Sequence, residues 1–388
     1  MKRILIGAGI VIAVLLAAAL AMLPGVLESQ INRIVEHEPY EIAPDAVARH
    51  GELAVVDLHA DTLLWARDPL ERASRGHVDL PRLVDGNVTL QVFSVVTKVP
   101  RDQRYTGTSG DSDVITLLAM VQRWPARTWD SLYERALYQA GKLHRAEEIA
   151  PDELKIVRTA ADIDALLAAR GNGKRPVGGL LATEGSHPLE GRLENIQRLY
   201  DAGYRMMGLT HFFDNELGGS LHGLSGEGLT AFGREAVREM ERLNVIVDLA
   251  HASPAVVEDT LAIATRPTVI SHTGIKGACD SPRNIEDALM KRVADAGGLV
   301  GIGYWKGAVC DPAPAEVVKA IRYAIDFLGV DHVALGSDYD GAVPVAFDTS
   351  ELAVLTAEMR KAGFADEEIA KVMGGNALRF FREQLPKE

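Results

Sequence analysis

Runs rich in Val, Ile and Leu recur along the chain at residues 53–59, 88–96, 177–184, 204–211, 245–251, 268–272, 299–304 and 333–338. Their apolar positions are consecutive rather than alternating, the pattern of strands covered on both faces. Between the later runs lie segments with helical patterning, at 193–202, 230–243, 254–264, 285–296 and 315–328. Strand and helix alternating in this way over eight runs predict a (β/α)8 TIM-type barrel rather than an open sheet. One interval breaks the rhythm. Residues 97–176 carry a polar loop at 105–112 and helical sequence at 113–150, so a helical insertion is expected after strand 2. At the far end, 366–383 reads as a closing helix broken at Gly374-Gly375-Asn376.

The first 50 residues follow another pattern. Met1-Lys2-Arg3 is basic, and residues 4–23 then run without a charge to Pro24-Gly25. A hydrophobic helix of about 20 residues is long enough to cross a bilayer and longer than most signal-peptide cores. Ala19-Leu20-Ala21 has the Ala-x-Ala form of a cleavage site, but no Cys follows to carry a lipid. The favoured expectation is an uncleaved membrane anchor over 1–25, a linker over 26–50 and the barrel over 51–388. The positive-inside rule then puts the barrel on the extracytoplasmic (periplasmic) side, exported and tethered.

Composition narrows the chemistry. The chain has 54 acidic and 41 basic side chains, a net charge of −13, and no basic stripe interleaved with aromatics, which argues against nucleic acid as a partner. Its two cysteines, Cys279 and Cys310, lack the spacing of a thiolate zinc site. A small-molecule substrate becomes the default.

In such barrels the active site forms at the C-terminal ends of the strands. The first run ends in Asp57-Leu58-His59-Ala60-Asp61-Thr62. His59 and Asp61 are two apart, so they share a face and point into the mouth; Asp57 lies deeper and reads as a hydrogen-bonding support. The third run ends at Glu184, a carboxylate costly to bury without a counter-charge. A metal would supply that charge, as would a salt bridge, and a helix cap is the other alternative. The next three runs end at His211, His251 and His272. One such His is ordinarily a hydrogen-bonded core or loop residue, but three at successive strand ends, with His59 at the first, form the pattern of a metal site. His59, Asp61, Glu184, His251 and His272 are therefore the expected ligands of a two-metal centre. These donors suit zinc, and manganese, iron or cobalt could take the same set.

Asp338, in Gly336-Ser337-Asp338-Tyr339-Asp340-Gly341, is the candidate to deprotonate water and return the proton to a leaving group. Asp340 beside Gly341 reads as a structural turn. Arg283 in Ser281-Pro282-Arg283-Asn284 is a candidate grip on a substrate carboxylate, with a surface salt bridge as its alternative. His77, His144, His187, His222 and His332 follow no ligand spacing, and His187 comes nearest to one.

Together with Leu209-Thr210-His211 and Gly374-Gly375-Asn376, these motifs resemble the membrane dipeptidase (renal dipeptidase) family, peptidase family M19, over nearly all of residues 55–381. The resemblance implies a zinc-dependent dipeptidase with two Zn2+ per chain and a metal-bridging hydroxide. Glu184 would bridge the ions, His59 and Asp61 holding one and His251 and His272 the other. His211 would polarise the scissile carbonyl, Arg283 bind the free carboxylate of the dipeptide, Asp338 work on the bridging water and Tyr304 line the substrate pocket. It further implies tolerance of a C-terminal D-residue, a Cys279–Cys310 disulfide and a homodimer. Two features depart from the family: its animal members are lipid-anchored at the C-terminus, and the 97–176 insertion is unlike most members. Two rival readings stand beside this one. The first is an amidohydrolase-like hydrolase of a lactone, lactam, phosphoester or other small amide or ester; the second is a tethered binding protein without turnover. The full ligand set and Asp338 favour the enzyme.

Overall fold

All eight apolar runs form strands, and each of those strands is buried along its whole length, as consecutive apolar positions require. A computed structural model of the protein describes residues 22–388. The expected anchor lies almost wholly outside them, and no helix among the described residues is long and apolar enough to cross a membrane. In chain order the strands are β1 (Val55–Ala60), β2 (Val88–Val96), β3 (Leu154–Ile156), β4 (Val177–Glu184), β5 (Tyr204–Gly208), β6 (Ile246–Asp248), β7 (Val269–Thr273), β8 (Leu299–Ile302) and β9 (Val333–Leu335). The parallel ladder runs β2-β1-β9-β8-β7-β6-β5-β4, and β2 closes it onto β4 in register from Leu90↔Gly178 to Val96↔Glu184. This is a closed eight-stranded barrel ringed by helices.

The insertion after β2 is helical, as expected, with helices Ile115–Val121, Leu132–Ile149 and Ala160–Gly171. Arg135, buried in the second, holds the loop leading into it: its guanidinium donates to the carbonyls of Thr97 (2.7 Å) and Thr128 (2.7 Å) and pairs with Asp113 (2.5 Å). β3 was not foreseen. It has three residues and only two point inward, too short a run to show as a pattern. It pairs with the start of β4, Leu154↔Val177, at the end of the barrel away from the metal-ligand residues, where β5 does not yet reach.

That lower end is closed by the last helix. Phe380, Phe381 and Leu378 pack with Val56, Leu90, Met206 and Leu299 from the strands in one buried cluster. The break foreseen at residues 374–376 is what lets this helix dock. A Cβ on Gly374 would lie 1.9 Å from the Ala54 carbonyl oxygen, so only glycine allows the approach. Asn376 then donates to the carbonyls of Val330 (2.7 Å) and Val333 (2.9 Å), tying the helix to the start of β9.

At the upper end several strands stop short of their apolar runs. β5 ends at Gly208, β6 at Asp248 and β9 at Leu335, so His211, His251 and Asp338 sit in the loops that follow. His251 (φ +61°) and Asp338 (φ +60°) adopt left-handed backbone, uncommon for residues with a Cβ, and this turns both chains off the ladder. Cys279 and Cys310 are disulfide-bonded, with Cα atoms 5.6 Å apart, and join the loops after β7 and β8.

Candidate metal centre

Glu184, the last residue of β4, is where the expected ligands converge. Its Oε1 lies 3.0 Å from Nε2 of His251, 3.3 Å from that of His272, 3.4 Å from that of His211 and 3.7 Å from that of His59. Asp61 Oδ1 is 3.5 Å from His59 Nε2. Three overlapping donor groups result: His59, Glu184 and His272; Glu184, His211 and His251; and His59, Asp61 and Asp338. His211 thus stands among the donors, although the resemblance gave it a separate part.

Hydrogen bonds behind this cluster fix which nitrogen faces inward. Asp248, on β6, accepts from Ser271 N (2.9 Å), Ala250 N (3.0 Å) and Ser271 Oγ (2.6 Å). Ser271 has one hydroxyl hydrogen and spends it on Asp248, so its oxygen accepts from Nδ1–H of His272 at 2.9 Å. His59 Nδ1 approaches the same oxygen at 3.3 Å. The Nε2 of His272 is then a bare lone pair aimed at Glu184, the arrangement in which an imidazole ligates a metal. Sequence reasoning missed Asp248 and the part of Ser271. The signal was available, since Asp248 is a carboxylate inside an apolar run, the argument that singled out Glu184.

Several features of the cluster call for a cation. The Nε2 atoms of His251 and His272 are 2.8 Å apart, and two lone pairs at that distance repel unless a proton or cation sits with them. His59 Nε2 and Asp61 Oδ1 are buried without a hydrogen-bond partner. Burial pushes Asp61 and Glu184 well above the usual carboxylate range, each raised further by a neighbouring carboxylate, and pushes Asp338 up to about 7. Burial also holds His211, His251 and His272 well below the usual imidazole range, so they are neutral. Neutral imidazoles and dehydrated carboxylates around one point are the donor set a divalent ion fits.

The remaining predicted residues divide. Arg283 is 2 % exposed, donates to the His272 carbonyl (3.1 Å), stacks 5.2 Å from the Trp305 ring and lines the cavity above the cluster, so the surface salt bridge is ruled out for it. Asp57 accepts from Ser337 N and Oγ, each 2.7 Å, and so braces the turn carrying Asp338 rather than a histidine. Asp340 is structural: it accepts from Thr62 (2.8 Å), Arg67 (2.6 Å) and the His77 amide (2.7 Å). Tyr304, expected at the substrate pocket, is fully buried against Tyr339 and Phe347 and does not line the cavity. Neighbouring side chains at the end of β8 point opposite ways, and Trp305 takes the pocket position. His187 and His222 are buried close by, stacked on Phe213 and Phe212, and belong to none of the donor groups.

Known proteins are similar to this chain in sequence and in fold. The model of the membrane dipeptidase family, peptidase family M19, matches residues 45–387. The chain is 28% identical to dipeptidase tcpJ of Claviceps purpurea over 323 residues, covering 79% of this chain and 69% of that protein. A metallopeptidase from Rhodobacter sphaeroides, crystallised with a phosphinate mimic of the dipeptide L-Ala-D-Ala, superposes with a TM-score of 0.70 at 25% identity, covering 86% of this chain and 99% of its own. The dipeptidase AC, a family M19 metallopeptidase, gives the same score and identity, covering 87% of this chain and 99% of its own. A match over almost the whole barrel, joined to a buried cluster suited to metal, leads to one conclusion: the chain belongs to the membrane dipeptidase family, peptidase family M19, and is a metallo-dipeptidase.

Proposed function

We propose that the protein is a zinc-dependent dipeptidase with two ions per chain, acting on dipeptides that include those with a C-terminal D-residue. The observation that carries the reading is the meeting of four imidazole nitrogens within 3.0–3.7 Å of Glu184 Oε1. Glu184 would be shared between the ions, His59 and Asp61 serving one and His251 and His272 the other. When bound, such ions supply Lewis acidity that polarises a carbonyl and brings the pKa of water towards ~7.

The protein's own groups account for the remaining work. Arg283, fixed by Trp305 and the His272 carbonyl, presents a guanidinium to the carboxylate that ends a dipeptide. His211, neutral through burial, can donate an N–H to the scissile carbonyl oxygen as negative charge grows there. Asp338, pushed up to about 7, is matched to take a proton from attacking water and give it to the departing amine. Water thereby adds across the C–N bond, its oxygen to the carbonyl carbon and its proton to nitrogen. The L-Ala-D-Ala mimic on the Rhodobacter sphaeroides relative supports the D-residue. The charge-free run at 4–23 and the Cys279–Cys310 disulfide favour an exported, tethered enzyme in an oxidising compartment.

The test is metal analysis of the purified protein followed by a panel of L,L- and L,D-dipeptides. The expected result is two zinc ions per chain, hydrolysis of members of both series and loss of turnover with chelation. Failure on every dipeptide by the zinc-loaded protein would overturn the proposed substrate.

A further inference from the structure

The cavity above the cluster, about 540 Å³, has a polar floor that includes Glu184, Arg283 and Asp338, and apolar outer walls. One wall comes from the inserted helix Ile115–Val121, through Leu117 and Val121. Another comes from a stretch that precedes the family-matched region: Leu23, Leu27 and Ile31, on the helical residues 22–31. Sequence reasoning assigned most of that stretch to a linker. It is instead pinned to the barrel.

Glu28 is 1 % exposed, and its carboxylate pairs with Arg67 and with Arg75 (2.7 Å). Arg67 in turn reaches Asp340 at 2.6 Å, in the turn that carries Asp338. Asn32 accepts from the Ala342 amide at 2.8 Å, and Val35 donates to the Val345 carbonyl at 2.7 Å. These bonds fix the register of the segment, yet Leu27 and Ile31 remain 45 % and 38 % exposed and Leu117 65 %. Apolar side chains held by buried ion pairs and left open over an active site await an apolar ligand.

We propose that residues 22–35 are part of the substrate site, a fixed apolar wall that binds a long apolar side chain on the dipeptide's first residue. The inference rests on the dipeptidase reading above and deepens it. With the substrate carboxylate at Arg283 on the floor, the first residue is the part directed towards the mouth. The cavity, about 540 Å³, falls in the ~300–1,000 Å³ range that encloses drug-sized ligands.

The experiment measures kcat/KM of the full-length, metal-loaded protein on dipeptides with one common C-terminal residue and Ala, Leu or 2-aminooctanoic acid in first place. Each methylene buried against the wall is worth about fourfold, so burial of at least two of the methylenes that 2-aminooctanoic acid adds to Ala should raise kcat/KM by about sixteenfold or more. Leu27→Asp should erase most of that preference through KM, Leu27→Ser should reduce it, and Ile149→Asp, outside the cavity, should keep it. Activity that ignores side-chain length, or a preference that survives Leu27→Asp, would overturn the proposal and leave the dipeptidase reading standing. Hydrolysis of none of the three would overturn that reading, and the proposal with it.

Discussion

The two ends of this barrel are built on opposite principles. At the lower end Phe380, Phe381 and Leu378 fill the opening among strand side chains, and Asn376 satisfies two carbonyls. The side chains that fill that opening are apolar, and no metal-donor group lies among them. At the upper end His59 Nε2 and Asp61 Oδ1 are buried without one, two imidazole nitrogens meet at 2.8 Å, and His251 and Asp338 hold left-handed backbone. The same eight strands supply both ends. The difference is that the lower end is closed by apolar packing and the upper end gathers donors suited to a metal, so stability and chemistry are separable along one axis.

Substitutions at the two ends sharpen that contrast. Glu184→Gln removes the charge at which the donors converge and should lower kcat/KM by a factor on the order of 10³, with loss of bound metal by elemental analysis. Asp338→Asn should cost a factor of about 10² while metal stays bound. That variant also reports on stability. The folded pKa of Asp338 is raised to about 7, so the group contributes stability below the unfolded value of ~3.9 that is lost as pH rises through 7. Metal-free Asp338→Asn should therefore melt higher than the metal-free parent at pH 8 and gain nothing at pH 4.

Asp248→Asn, acting behind Ser271, should weaken metal affinity or activity by about 10–100-fold, the usual range for partners of ligating histidines. Phe381→Ala should have the smallest effect on turnover and a large one on stability. A loss of ~3–5 kcal/mol in denaturant unfolding is expected, with kcat/KM of the folded protein unchanged. A Phe381→Ala enzyme that lost metal while still folded would break the separation between the two ends.

The contrast also explains what the sequence discloses. Strands buried on both faces leave unbroken apolar runs, so all eight barrel strands were legible, and polar residues ending such runs stood out. His59, Glu184, His251 and His272 were singled out that way and Asp61 by its spacing from His59, and their side chains lie together. Side-chain direction past a strand end was less legible: β5, β6 and β9 stop early, and the resemblance put Tyr304 where Trp305 stands. Long-range ion pairs were hidden as well. Nothing local to Glu28 announces that Arg67 and Asp340 will hold it, so a wall of the cavity looked like a linker. β3 has too few residues to show a period.

The most direct test of the account is a zinc titration of the metal-free, full-length protein, with bound metal and dipeptide hydrolysis followed together. The account predicts two equivalents bound per chain, negligible turnover in their absence, and neither tight binding nor turnover in Glu184→Gln. Hydrolysis by the metal-free chain, or full zinc binding by Glu184→Gln, would contradict it.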